Sequence, residues 1–176
     1  MHTHATNARR ARGTGRGFTL IELIAVLVIT ALVGVSAIAS MTSTGATRQR
    51  LAVRSLARDL GWARERAIST ANAIWVTFNI GADTYTLRAD DPSNPGFNGS
   101  QALTDPATGA PFAGRWNTGE FAGVDMTAAT TTNFGFDWTG RPVSTTGVAL
   151  AGVVTVTGSG GRTVTIQPES GLVGWQ

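Results

Sequence analysis

Three patterns of apolar and polar positions follow one another along the chain. From Leu23 through Thr47 no residue is charged, and most positions up to Ala39 are Leu, Ile, Val or Ala. An apolar run of about 20 residues is long enough to cross a bilayer as a helix. It also lacks the polar stripe that a helix lying on a core shows. From Arg48 to Ala71 the period turns helical. Ala52, Val53, Leu56, Leu60, Ala63, Ala67 and Ala71 fall within one sector of about 100° on a helical wheel. Arg50, Arg54 and Arg58 form a row away from that stripe. No proline separates Phe18 from Ala71, so one helix of roughly 54 residues is allowed. The weak helix formers Ser43-Thr44-Gly45 mark the expected bend or melted turn.

After Asn72 the pattern becomes that of strands. Residues 73–80 and 84–88 read as a hairpin about Gly81-Ala82-Asp83. Residues 90–119, rich in Gly, Pro, Asn, Asp and Thr, read as a long irregular loop. Further strands are expected at 121–126, 132–138, 148–157, 162–167 and 172–175, with turns at Thr139-Gly140-Arg141-Pro142 and Gly158-Ser159-Gly160-Gly161. Short strands after one long helix predict an α+β chain: an N-terminal transmembrane helix packed on a small antiparallel, β-sandwich-like head. Trp75, Trp116, Trp138 and Trp175 are expected in its core or between its sheets.

Composition removes most enzyme chemistry. There is no Cys, and the two histidines are His2 and His4 at the N-terminus. All 14 basic residues are Arg. Without a nucleophile–base pair in the body of the chain, no catalytic residue, metal ligand set or cofactor is assigned. The net charge of +3 is concentrated at the start, where Arg9, Arg10, Arg12 and Arg16 stand with no acid in the first 17 residues. From Phe18 onward 10 Arg face 11 acids, so the basic character belongs to the first 17 residues. Six Arg between Arg48 and Arg66 face only Asp59 and Glu65. Arg50, Arg54 and Arg58 are therefore candidate contacts for DNA phosphate or anionic lipid heads. Without interleaved aromatics, a solvated face or acidic patches on neighbouring subunits is the favoured reading. Asp90, Asp91, Ser93 and Asn94 gather oxygen ligands but lack the EF-hand spacing, so they read as a turn-forming loop.

A basic segment before an apolar run also describes a secretory signal peptide, and Ala37-Ile38-Ala39 supplies a small-residue cleavage site. Glu22 argues against that reading. A carboxylate four residues into the apolar segment costs several kcal/mol unless something compensates it.

Gly17-Phe18-Thr19-Leu20-Ile21-Glu22, followed by the unbroken apolar run, resembles the class III signal of type IV pilins and type II secretion pseudopilins. The resemblance implies that a prepilin peptidase cuts between Gly17 and Phe18 and methylates the new Phe18 amine. Glu22 then stands at the fifth mature position, where it can neutralise a neighbouring subunit's amine during assembly. The turn Phe136-Asp137-Trp138-Thr139-Gly140-Arg141-Pro142 and the ending Ser170-Gly171-Leu172-Val173 are similar to the GspH/FimT branch.

The implied organisation is a leader at 1–17, a transmembrane and assembly helix at 18–42, its amphipathic continuation at 43–71, and a β-rich head at 72–176. The implied location is the inner membrane, single-pass, with leader cytoplasmic and head periplasmic. Implied partners are prepilin peptidase, other pilins or pseudopilins, membrane lipid and a secretion assembly platform. The implied function is that of a minor pseudopilin of type II secretion, with a minor type IV pilin, including DNA-capturing members, as the alternative.

Overall fold

The computed structural model describes residues 19–176, apart from the side chains of residues 34–43. The leader, Gly17 and Phe18 lie outside the described residues. The chain forms two compact units that part between Ser40 and Met41. One helix, α1 (Leu20–Thr70), precedes all the strands, and no melted turn interrupts it at Ser43-Thr44-Gly45. It ends in a Schellman-type cap: Asn72 N–H donates to Ala67 O (3.2 Å) and Ala71 N–H to Ile68 O (3.3 Å). This puts Ala71 at φ 50°, exposed, so the buried stripe stops at Ala67 rather than at Ala71 as expected.

The first sheet is built on an antiparallel hairpin, β1 (Ile74–Asn79) and β2 (Thr84–Ala89), paired from Ile74↔Ala89 to Asn79↔Thr84. A 3₁₀ turn at Ile80–Ala82 joins them, capped by the Asn79 side chain and closed by Asp83 in the left-handed region. Two short strands, β3 (Gln101–Ala102) and β4 (Ala113–Arg115), attach to the outer edge of β2. The expected irregular loop at 90–119 is thus partly a sheet edge. Phe112 N–H donating to Leu103 O (2.6 Å) ties its two arms together.

A strand does not form at 121–126. Gly119–Phe121 is a 3₁₀ turn and Gly123 has φ 81°, so the extended run β5 (Met126–Ala129) starts only at Met126. On the other side of β1 lies β6 (Asn133–Phe136), followed by β7 (Pro142–Val143), whose proline is tolerated on a sheet edge.

The second sheet holds β8 (Val154–Gly158), β9 (Thr163–Ile166) and β10 (Val173–Trp175), in the order β10-β9-β8-β5. Residues 148–153, expected as strand, are a loop entered through Gly147 at φ 79°. Asp83 links the two sheets: its Oδ1 accepts from Met126 N–H (2.7 Å) at the start of β5.

One core fills the head. From α1 come Val53, Leu56 and Leu60, from the first sheet Val76, Leu87, Phe134 and Phe136, and from the second Val154, Val156, Val164 and Ile166. Burying each of the larger aliphatic side chains contributes roughly 1.5–3 kcal/mol.

Two of the four tryptophans expected inside are there, Trp75 and Trp116, while Trp138 (65% exposed) and Trp175 (48%) face solvent. Strand positions facing the large rings are glycines. Trp75 lies opposite Gly135 and Tyr85 opposite Gly114, and a Cβ at either glycine would enter the ring.

Candidate functional site

The chain's chemistry is concentrated on α1, beginning with its first turn. Thr19 precedes the helix, and its Oγ1 accepts from Glu22 N–H (3.3 Å) while its carbonyl accepts from Leu23 N–H (3.2 Å). Thr19 is therefore the N-cap and Glu22 sits three residues in, the Thr-x-x-Glu spacing of a capping box. A carboxylate in this turn also meets the positive end of the helix dipole. The Thr-x-x-Glu spacing is the sequence signal for this cap. Glu22 is solvent-exposed, so its carboxylate is accessible to a cationic partner.

The following residues show no polar face. Leu20, Ile21, Leu23, Ile24, Val26, Leu27, Val28, Ile29, Leu32 and Val33 are all at least half exposed. The one hydroxyl among them is satisfied within the helix, with Thr30 Oγ1 donating to Val26 O (2.8 Å) and Leu27 O (3.0 Å). Such a bond keeps a polar group tolerable in an apolar surrounding. Among the described residues no helix is long and apolar enough to cross a membrane. The expected span at 18–42 continues into residues 34–43, whose side chains are not among those described.

The arginines of the second half divide by role. Arg48 donates to Ala122 O (3.2 Å) and Arg64 Nε to Ser170 O (2.9 Å), so both tie α1 to loops of the head. Arg50, Arg54 and Arg58 are exposed. The structure brings only Arg54 and Arg58 together, in a groove of about 460 Å³ with Leu51, Ser55, Glu120 and Phe121. Arg58 is held by Ser55 Oγ (3.1 Å) and Asp59 Oδ1 (3.1 Å). The other oxygen of Asp59 accepts from Tyr85 O–H (2.6 Å). Burial, reinforced by the negative charge of Asp59, pushes that phenol well above its ordinary value.

The loop carboxylates serve the backbone. Asp90 Oδ1 accepts from Gly96 N–H (2.6 Å) and Trp75 Nε1 (3.3 Å). Asp91 accepts from Ser93 N–H and Oγ and from Gln101, and these bonds hold its carboxyl below the usual range. Among the described residues no cluster of His, Asp or Glu has the makings of a metal site.

The turn at 136–142 acquires a physical reason. Asp137 Oδ1 accepts from Thr139 N–H (2.8 Å) and Arg141 N–H (3.0 Å), closing it. Gly140 has φ 82° and lies against Ile68 and Arg64; Gly171 has φ 64° and lies against Gly140. These two glycines let the turn, the C-terminal loop and the end of α1 meet where a side chain would clash.

The family model for the prokaryotic N-terminal methylation motif matches residues 14–38. No curated protein sequence matches the chain. Two solved structures of the minor pseudopilin EpsH from the type II secretion system of Vibrio cholerae have a similar fold, each at 12% identity. One match covers 73% of this chain and 96% of that one, with a TM-score of 0.51. The other covers 73% and 93%, with a TM-score of 0.52. The type IV minor pilin FimU of Pseudomonas aeruginosa is also similar, at 14% identity over 72% of this chain and 91% of that one, with a TM-score of 0.47. The chain thus joins a match to the prokaryotic N-terminal methylation motif with an α+β fold similar to that of a minor pseudopilin.

Proposed function

We propose that the chain is a minor structural subunit of a type II secretion pseudopilus. Prepilin peptidase cuts between Gly17 and Phe18 and methylates the Phe18 amine. The helix holds the subunit in the inner membrane as a single pass, leader in the cytoplasm and head in the periplasm. Assembly then draws subunits together through their N-terminal helices, where Glu22 neutralises a neighbour's Phe18 amine inside an apolar bundle.

The observation that carries this reading is the contrast along α1. From Leu20 to Val33, opened by the Thr19–Glu22 cap, it is mostly apolar and exposed on every side, while the head has a core of its own. A surface so apolar implies a lipid or helix-bundle partner. The resemblance of the head to EpsH, a type II secretion protein, favours secretion over a pilus.

Deletion of the gene, with complementation, tests the function. Loss of folded exoproteins from the medium and their accumulation in the periplasm is the expected result. Unchanged secretion with loss of surface fibres would replace it by the type IV pilus reading. At the residue level, Glu22→Ala is expected to insert and be cleaved normally but to enter filaments poorly. Normal incorporation would remove the assembly role of Glu22.

A further inference from the structure

The groove between α1 and the Gly119–Phe121 turn has a charge pattern that narrows its occupant. On the helix wall stand Arg54 and Arg58, on the turn wall Glu120, and Leu51 and Phe121 line it between them. Leu51 is 44% exposed, a large apolar side chain left uncovered among charges. Arg58 is oriented by Ser55 and Asp59, so part of its charge is already answered. Arg54 has no ion-pair partner among the described residues. The groove is therefore dipolar, basic on one side and acidic on the other, and not a positive channel.

Nucleic acid fits this poorly. A duplex gains from Arg54 but is repelled by Glu120, and with its bases already stacked it has no use for Leu51. A protein segment carrying an acid and a base on either side of an apolar side chain satisfies all of these residues.

We propose that this groove is a docking site for such a segment of an adjacent filament subunit, with its acid on Arg54, its base facing Glu120 and its apolar side chain on Leu51 and Phe121. This rests on the filament reading and adds a contact between heads to the contact between N-terminal helices.

The chain has no cysteine, so Leu51→Cys gives a single attachment point for a photocrosslinker in the full-length protein in its own cells. A discrete adduct is expected, with the captured peptide holding an Asp or Glu beside an apolar residue. Its yield falls about tenfold with Arg54→Glu, less with Arg54→Gln, and also falls with Glu120→Gln. Reversing the captured acid to Arg restores the adduct to the Arg54→Glu variant.

An adduct indifferent to all these changes overturns the proposal. So does a Glu120→Gln variant that gains retention on duplex DNA or on anionic vesicles, since a polyanion would then be the occupant. Incorporation into filaments is scored in the same cells. If it stays Glu22-dependent while the Leu51 adduct ignores Arg54, the docking site fails and the filament role stands.

Discussion

Between Leu20 and Val33, α1 turns apolar side chains outward on every side, whereas from Ala52 to Ala67 it buries one stripe and leaves arginines in solvent. The backbone is helical in both stretches, so the difference is one of partner. The second stretch found its partner within the chain, in two sheets that cover Val53, Leu56 and Leu60. The first leaves its large apolar side chains at least half exposed. A helix without periodicity thus marks an association still to be made, and a periodic one marks an association already completed.

The largest expected effect tests that contrast directly. Leu56→Ala is expected to lower the stability of the head by about 3 kcal/mol through lost burial and a residual cavity. Leu27→Ala changes it by less than about 0.5 kcal/mol. Denaturant unfolding of the full chain in detergent measures both, and equal losses would break the comparison.

Arg64→Ala removes the charged donor to Ser170 O and is expected to cost about 2 kcal/mol, loosening the C-terminal loop first. Hydrogen exchange at residues 168–172 reads that locally.

Tyr85→Phe is expected to cost about 1 kcal/mol at neutral pH, because Asp59 loses a donor. It also alters the alkaline limb. The folded phenol holds its proton more tightly than the unfolded one, which releases it near the ordinary value of about 10. The resulting stabilisation is full below that pH and is lost as pH rises above it. Tyr85 is the only tyrosine, so its ultraviolet tyrosinate band should appear together with unfolding. A band appearing in the intact fold near pH 10 would contradict the burial.

The smallest effect concerns the point where α1 stops. Ala71→Gly relieves a left-handed alanine and is expected to stabilise the head by about 0.5 kcal/mol, net of the added freedom of the unfolded chain, read as a higher thermal midpoint.

Legibility followed element length. The helix and the first hairpin extend over enough residues for periods of 3.6 and 2 to be read. The strands β3, β4 and β7 have two or three residues, too few for alternation to exist, and they form because neighbouring edges accept them. Trp138 misled for a related reason. Its hydrophobicity suggested burial, but its place in the Asp137 turn leaves it exposed. Of the candidate site, Glu22 is visible in the sequence as a lone charge in an apolar run, and its compensation by a neighbour belongs to the proposal. The separation of Arg54 and Arg58 from Arg50 is not visible there, because Glu120 and Phe121 reach the groove from more than 60 positions away.

The glycines beneath Trp75 and Tyr85 carry a consequence for how this head can change over time. Each ring occupies the volume that the opposing residue gives up, so ring and glycine behave as a single inherited unit. Enlarging the glycine alone closes one route of descent, and shrinking the ring alone leaves a void. Drift at these sites must therefore proceed through paired replacements, while the uncovered turns between the strands remain free to diversify one residue at a time.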